Sequence, residues 1–267
     1  MKTKPEIIEE MPFADYRAAP GLSQSELKCL LDGPGHMLAS RFGSPPTESM
    51  KTGTMAHDWL LEGKWPDVAF KPDGMNFATK EGRAWKAEQE AAGREIYPPD
   101  VADFLTVLPE RIHEHPMAKQ LFNAKGRREV SVFATDPDTK IRLKCRVDLL
   151  PDMGNTIADL KKTFKGGAGR KEFAKAVLDY GYHIQAAYYL HVLRLAGIER
   201  DVFAFVCCEE SEPWPVEVWP LEADIIALGH ATARKLLSEY ADLQEGKGWA
   251  RALELPGWVR AKMEGEL

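Results

Sequence analysis

Along the chain, the spacing of hydrophobic positions changes from helical to strand-like near residue 125. In the first part, apolar residues recur three to four positions apart, as Met55 and Trp59 do, which is typical of amphipathic helices. In the second part, Val130, Val132 and Ala134 occupy every other position, which is typical of a strand with one buried face. The pattern therefore predicts a mainly helical first part followed by a sheet.

The helical spacing predicts six helices, over 24–31, 50–61, 80–94, 98–124, 171–196 and 222–245. Ser23 and Glu26 have the spacing of a capping box, which starts the first helix, and Gly33-Pro34-Gly35 is expected to end it. Gly181 is expected to interrupt the fifth helix. Residues 1–20 are predicted to be irregular.

Alternating and buried apolar runs predict five strands, over 129–134, 142–150, 156–161, 201–208 and 216–219. Turn residues separate the first three strands, which makes them a meander. The order of elements indicates an α/β (α+β) fold in which helices cover a mixed sheet. The length of 267 residues suits a single domain, with a mainly helical part at 1–125 and the sheet with its covering helices at 126–267.

Two carboxylates and a lysine occur where neighbouring strands of the meander can bring them together. Asp148 lies near the end of one strand, and Asp159 and Lys161 share one face of the next. Carboxylate oxygens suit Mg²⁺ or Mn²⁺, and a lysine beside such an ion can orient water or stabilise charge on a phosphate. The pattern indicates phosphodiester cleavage. The alternative is that Asp148 is a solvated turn residue and D-x-K a chance occurrence.

Composition narrows the setting of this chemistry. No apolar run approaches the roughly 20 residues that cross a membrane, and the start of the chain lacks the apolar core of a signal peptide. The four cysteines show no C-x-x-C spacing, which argues against a disulfide framework or a zinc site. A reducing cytoplasm is the expected location.

The net charge of −6 argues against a protein coated in positive charge, but the distribution of charge matters more than its sum. Residues 161–175 carry six basic side chains against one acid, Glu172, and 125–128 form a second basic cluster. Because the longer run follows the strand of Asp159, we predict that it contacts DNA phosphates, through Lys162, Thr163, Lys165 and Arg170. The alternative is an ordinary solvated face.

Four other residues are candidates for the same site. His57 in the second predicted helix can add a nitrogen ligand, or it can be a packed or surface histidine. Glu129 can supply a third carboxylate or cap the edge of the sheet. Gln185 and Tyr189 lie four apart on one helical face, where they can contact phosphate or DNA backbone, or can be polar tips of a core helix. Three aromatic residues can stack on unpaired bases or anchor loops: Trp59, Phe77 and Trp85.

Taken in order, His57, Glu129, Asp148, Asp159-Leu160-Lys161 and Gln185 resemble the site residues of the PD-(D/E)xK nuclease superfamily. More closely, the chain resembles the exonuclease domain of the RecE-type exonuclease VIII. The motifs that carry the resemblance extend almost from end to end: Gly21-Leu22-Ser23-Gln24-Ser25-Glu26-Leu27, Gly53-Thr54-Met55-Ala56-His57, Thr79-Lys80-Glu81-Gly82, Lys144-Cys145-Arg146-Val147-Asp148, Asp159-Leu160-Lys161-Lys162-Thr163, Tyr182-His183-Ile184-Gln185 and Leu255-Pro256-Gly257-Trp258.

The resemblance implies a PD-(D/E)xK core and a Mg²⁺-dependent exonuclease, with two ions per site during catalysis and Mn²⁺ as a substitute. It would degrade the 5′-ended strand of duplex DNA and leave a 3′ overhang for a single-strand annealing protein. It also implies a ring-shaped homo-oligomer, a trimer or tetramer, that threads DNA.

By the same resemblance, the metal ligands are His57, Asp148, Asp159 and the Leu160 carbonyl, and Lys161 activates water. Gln185 and Tyr189 match the Q-x-x-x-Y element of the family, and Ser23 and Ser25 match a segment near the DNA end. The chain departs from the family pattern in having Val147 at the position of the name-giving proline.

Two other functions are compatible with the motifs. One is a Cas4-like or restriction-type nuclease of other polarity, although the cysteines lack the iron–sulfur arrangement of Cas4. The other is a non-catalytic DNA-binding accessory protein of recombination, which would be expected to have lost an acidic or lysine position.

Overall fold

The structure is a computed structural model that describes residues 4–249. It contains ten α-helices in that range: α1 (Phe13–Ala18), α2 (Gln24–Lys28), α3 (Pro34–Ser40), α4 (Glu48–Glu62), α5 (Lys80–Ala91), α6 (Pro99–Glu114), α7 (Pro116–Asn123), α8 (Arg170–Asp179), α9 (Tyr182–Leu195) and α10 (Ala223–Gln244). The Leu255-Pro256-Gly257-Trp258 motif lies outside the described residues. None of the helices described is both long and apolar enough to cross a bilayer.

Hydroxyl side chains start several of these helices. The Ser23 hydroxyl accepts a hydrogen bond from the Glu26 amide, and the Glu26 carboxylate accepts from the Ser23 amide, which completes the predicted capping box of α2. Thr47 and Thr79 cap α4 and α5 in the same way, through the amides three residues later. Each cap pairs a backbone N–H that the first helical turn leaves free.

The strands within this range form one large sheet and one small one. Their bounds are β1 (Glu6–Ile8), β2 (Leu22–Ser23), β3 (Ala69–Phe70), β4 (Ile96–Tyr97), β5 (Gly126–Thr135), β6 (Arg142–Pro151), β7 (Thr156–Thr163), β8 (Val202–Glu209) and β9 (Val216–Pro220). The large sheet has the order β1-β5-β6-β7-β8-β9, with β2 beside β6, and β3 pairs with β4. The β7–β8 pair is parallel, whereas β5–β6, β6–β7 and β8–β9 are antiparallel. The expected mixed sheet with a meander is confirmed.

Helices cover both faces of the large sheet, and each face has its own apolar core. The first core packs α2, α9 and α10 against side chains such as Val130, Val147 and Phe205. The second core packs α4, α6 and α7 against Leu149, Leu160 and others. Because both faces are covered, β8 is apolar on both sides, with Phe203 and Phe205 in the first core and Ala204 and Val206 in the second.

One edge of β6 is open in the middle. β2 pairs with this edge at Leu143 and Lys144, and β7 pairs with it at Leu149, opposite Ala158. In the part of the chain that the structure describes, no strand pairs with residues 145–148 on that side. The strands therefore separate next to Asp148, which leaves room for side chains from both layers of helices.

Two expectations about the helices were wrong, and a third, that Gly33-Pro34-Gly35 ends the first helix, was confirmed but incomplete. Residues 1–20 are not wholly irregular, because β1 and α1 lie there. Gly33-Pro34-Gly35 starts a helix as well as ending one, since Pro34 is the first residue of α3, where its missing N–H costs nothing. The helix expected over 98–124 is two helices, because Pro116 holds His115 in an extended conformation.

Candidate active site

Three acidic residues form a row across β5, β6 and β7. Arg128 pairs with Leu149 and Val130 pairs with Val147, so Glu129 lies opposite Asp148. Leu149 pairs with Ala158, which places Asp159 opposite Asp148 on the other side. The register therefore places the three acidic residues at neighbouring positions on adjacent strands.

The regular pleat is interrupted at the centre of this row. Val147 packs in the first core, whereas Leu149, two positions later, packs in the second core. Glu129, opposite the interruption, has a φ of +51°, a conformation that non-glycine residues rarely adopt. Such local disruptions of a strand pair redirect side chains, and here they aim carboxylates into the opening beside β6.

His57 reaches the row from α4, on the face of the second core. Its Nε2 atom lies 3.0 Å from the Leu160 carbonyl oxygen, and its Nδ1 atom lies 3.4 Å from Glu129 Oε1 and 3.6 Å from Asp148 Oδ2. Asp148 Oδ2 also accepts a hydrogen bond of 2.7 Å from the Leu160 amide. The ligand atoms of His57, Glu129 and Asp148 all lie within 4.8 Å of one another.

Asp159 is held from the opposite face of the sheet. The Gln185 side chain on α9 donates a 2.5 Å hydrogen bond to Asp159 Oδ1, and Lys161 Nζ lies 2.5 Å from Asp159 Oδ2. This Oδ2 atom is buried and has no partner with hydrogen-bond geometry among the described residues. The predicted convergence of Asp148, Asp159, Lys161 and Gln185 is therefore seen, with Asp159 turned towards Lys161 and Gln185.

The carboxylates and His57 shift each other's pKa values. Burial raises the pKa of Asp148 to about 8, and the nearby Asp159 carboxylate adds to this effect. Burial acts to lower the pKa of His57, but the Asp148 and Glu129 carboxylates outweigh it and raise the pKa to about 9. A bound cation would favour the ionised carboxylate and displace these protons.

Arg146 is a site residue that the sequence did not reveal. Its Nε atom donates to Glu129 Oε2, and its Nη1 atom donates to the Met11 carbonyl oxygen at 2.5 Å. Burial acts to raise the pKa of Glu129, but the hydrogen bonds from His57 and Arg146 outweigh it and lower the pKa. The only sequence signal of this role is a basic residue two positions before Asp148 in a strand whose other residues alternate between charged and apolar up to Asp148.

The residues predicted to contact DNA are placed in several different environments. Ser25 is exposed and its hydroxyl lies 3.0 Å from that of Ser23, which is itself engaged in the cap of α2. Lys165 and Arg170 are exposed in and after the loop that follows β7. Lys162, in contrast, pairs with Glu210, and the Thr163 hydroxyl lies 3.4 Å from the Cys208 carbonyl oxygen.

The prediction that Tyr189 contacts DNA backbone is not supported, because this side chain is only 8% exposed. It packs edge-on against Phe203 in the first core. Phe77 and Trp85 stack on each other, and Trp59 packs against Trp65, so these aromatics have protein partners.

The donor set fits a hard divalent cation. The site supplies one nitrogen and several oxygen atoms, from His57, Glu129, Asp148 and the Leu160 carbonyl. Asp159 Oδ2 is a further buried carboxylate oxygen that can accept a ligand bond. Oxygen-rich sites of this kind suit Mg²⁺ or Mn²⁺. A cation would also offset the charge of three neighbouring carboxylates.

Residues 23–255 match the family described as PDDEXK-like domain of unknown function (DUF3799). The chain belongs to this family. The match spans every residue of the site just described and confirms the expected PD-(D/E)xK nuclease domain, an enzyme fold whose members use divalent metals. No curated protein matches the chain significantly.

Among solved structures, the PDDEXK-like domain is similar to the "putative exonuclease" from Eubacterium rectale, with a TM-score of 0.63 and 13% identity over 97% of this chain and 98% of that one. This similarity shows a shared fold. LHK-Exo in complex with dAMP also matches, at 11% identity over 83% of this chain and all of its own, but a TM-score of 0.29 is too low for comparison in detail.

Proposed function

We propose that this PDDEXK-like domain is a Mg²⁺-dependent exonuclease that degrades duplex DNA from its 5′ ends and leaves 3′ single-stranded overhangs. The observation that carries the proposal is the row of Glu129, Asp148 and Asp159, with Lys161 beside it. This combination of a metal-binding carboxylate set and a lysine is suited to phosphodiester hydrolysis.

The cation would be held by His57, Asp148, Asp159 and the Leu160 carbonyl, with Glu129 as a further ligand. When bound, one or two such ions polarise the phosphate and lower the pKa of a coordinated water. Mn²⁺ has similar ligand preferences and is expected to substitute for Mg²⁺.

The protein side chains then have separate tasks. Burial acts to lower the pKa of Lys161, but the Asp159 carboxylate outweighs it and raises the pKa, so Lys161 stays charged. A charged Lys161 can orient the attacking water and stabilise the negative charge that develops on the phosphate. Gln185 keeps Asp159 in place, and Arg146 keeps Glu129 in place.

Double-stranded DNA ends are the proposed substrate. The exposed Lys165 and Arg170 follow directly from the strand of Lys161, and they supply positive charge in a protein whose net charge is −6. The 5′-to-3′ direction, the single-strand annealing partner and a homo-oligomeric ring rest on the resemblance to the RecE-type enzymes. In this proposal the product overhang is used for recombination by strand annealing.

Removing Asp159 or Lys161 tests the proposed chemistry. Asp159→Ala and Lys161→Ala should each lower Mg²⁺-dependent digestion of linear duplex DNA by roughly 10³-fold, because Asp159 is a proposed ligand of the cation and Lys161 stabilises charge on the reacting phosphate. Release of acid-soluble nucleotides measures the activity, and circular dichroism checks that both variants fold. Lys119→Ala, which changes an exposed lysine of α7, is the control and should keep full activity. Full activity in either site variant would exclude this mechanism.

A further inference from the structure

A second lysine lies beside Lys161, and it comes from α2. Lys161 Nζ is 5.1 Å from the centre of the Tyr182 ring, and Lys28 Nζ is 6.0 Å from the centre of the same ring. Two ammonium groups therefore share one aromatic side chain at the edge of the site. Aromatic rings attract cations over such distances, which helps to hold the two charges near each other.

The fold makes room for this lysine at Gly181, the residue before α9. A Cβ atom at this position would lie 2.9 Å from Lys28 Cδ, and the φ of +63° also favours glycine. The Lys28 side chain thus passes over Gly181 to reach Tyr182. Gly181 also starts the helix that carries Gln185, so the same junction positions Lys28 and a partner of Asp159.

The Lys28 ammonium group is only partly satisfied by the protein. One hydrogen bond of 2.8 Å goes to the Tyr180 carbonyl oxygen, which leaves two of its three N–H donors. Within residues 4–249, no carboxylate lies within ion-pair distance of it, whereas Lys161 and Lys162 each have an acidic partner. Burial and the charge of Lys161 lower the pKa of Lys28 to about 8.

A capping role alone does not account for this placement. Tyr180 follows the last residue of α8, and a lysine that bonds a terminal carbonyl stabilises a helix end. A cap of this kind works equally well on an open surface. Here a second positive charge is brought close to Lys161, whose own partner is Asp159. The charge of Lys161 lowers the pKa of Lys28 more than the Asp159 carboxylate raises it, so Asp159 does not fully offset the repulsion and a further anion would.

We propose that Lys28 binds a backbone phosphate of the DNA strand that enters the site, next to the phosphate that Lys161 faces. This inference rests on the proposed nuclease function and extends it, because it assigns a substrate contact to α2. A phosphate would use the two free N–H donors of Lys28 and offset the repulsion between the two lysines.

The test compares DNA binding by wild type, Lys28→Met, Lys28→Arg and the control Lys119→Met, whose lysine lies on α7 in the layer covering the opposite face of the sheet. Methionine keeps an aliphatic side chain over Gly181 and removes the charge. Affinity for a short blunt duplex is measured in EDTA over a series of KCl concentrations, since divalent ions would also compete for phosphates. Thermal unfolding of each variant is recorded in parallel.

We expect Lys28→Met to bind roughly tenfold more weakly, as for the loss of one charge-assisted hydrogen bond. The slope of log affinity against log salt should become shallower by about 0.9, the value for one lost phosphate contact on duplex DNA. Lys28→Arg and Lys119→Met should keep the wild-type slope. If Lys28→Met keeps the wild-type affinity and salt slope but melts at a lower temperature, Lys28 acts only as a helix cap and the proposal is wrong.

Single neutral methylphosphonate linkages then locate the contact. At the contacted position the neutral linkage should weaken wild type by about the same factor as Lys28→Met, and it should weaken Lys28→Met no further. Equal losses in wild type and Lys28→Met at every position would contradict a direct contact. If Lys28→Met does not fold, Lys28→Gln, which can still donate to the Tyr180 carbonyl, replaces it in both assays.

Wild-type activity separates the two proposals. If wild type digests DNA and Lys28→Met keeps the wild-type affinity and salt slope, only the assignment of Lys28 is wrong. If wild type neither digests nor binds DNA, both proposals are wrong.

Discussion

Each of the three site carboxylates has one oxygen held by a donor from a different part of the chain. Arg146 donates to Glu129, the Leu160 amide donates to Asp148, and Gln185 donates to Asp159. If the carboxylates bind a metal as proposed, such partners would orient them before the metal arrives and reduce the cost of binding. The site is thus built as a set of oriented pairs, and the loss of a donor should weaken it even when the carboxylate remains.

The sequence predicted the carboxylates and missed Lys28 for one reason. Asp148, Asp159 and Lys161 lie within one hairpin, so local spacing brings them together. Lys28, in contrast, reaches the carbonyl of Tyr180, which is 152 positions away in the chain. Contacts of that length depend on how α2 packs against α9, which local patterns do not specify.

Asp136 offers a test of a buried charge outside the site. Burial acts to raise its pKa, but hydrogen bonds from Thr139 and His191 and the charge of Arg234 outweigh burial and lower it. A lowered pKa means that the ionised form stabilises the fold above the unfolded-state value of 3.8, and that this contribution is lost as the pH falls through the folded-state pKa.

Asp136→Asn should therefore lower the free energy of unfolding at pH 7 by about 2–4 kcal/mol. Urea denaturation at pH 7 and at successively lower pH measures the difference from wild type. The difference should narrow as the pH falls below about 4, where the wild-type carboxyl also begins to be protonated. If the difference in free energy of unfolding stays constant down to pH 3, the charge of Asp136 does not contribute to the stability of the fold.

At the scale of elements, the long strands were easier to predict than the short strand and helix that precede them, β1 and α1. Each strand of the meander has several alternating or buried apolar residues, whereas β1 has three exposed residues and α1 has six residues with one buried, Tyr16. The exchange of faces between Val147 and Leu149 was also beyond the sequence, because it depends on how β5 and β7 pair with β6. That irregularity is what directs the carboxylates into the gap.

The crossing of α9 and α10 depends on Gly229. A Cβ atom there would lie 2.0 Å from the His183 carbonyl oxygen, which belongs to the backbone of α9 and cannot turn aside. Gly229→Ala should therefore separate the two helices and destabilise the protein by about 2–3 kcal/mol, a fall of roughly 5–10 °C in melting temperature.

Gly53→Ala is the matched control for that substitution. Gly53 lies inside α4, and an added Cβ meets nothing within 4 Å. Alanine should stabilise this helix by about 0.5–1 kcal/mol, since it removes the flexibility of glycine from the unfolded chain. Equal melting temperatures for Gly229→Ala and wild type would mean that the close helix crossing is not required.

At the scale of the whole molecule, the site lies where the two layers of helices meet through the sheet. His57 comes from the layer of the second core and reaches Glu129 and Asp148, whereas Gln185 comes from the layer of the first core and reaches the neighbouring Asp159. The composition and the order of elements predicted the mixed sheet. They did not predict the gap, because its limits depend on where β2, from a distant part of the chain, and β7 pair with β6.

The most direct test of the central claim is digestion of linear duplex DNA labelled separately at its 5′ and 3′ ends, with Mg²⁺ and with EDTA. We expect early release of the 5′ label with Mg²⁺ and no release with EDTA, while the 3′ label stays on long single strands. Lack of release with any divalent metal would contradict a nuclease. Internal cuts, or earlier release of the 3′ label, would contradict a 5′-to-3′ exonuclease.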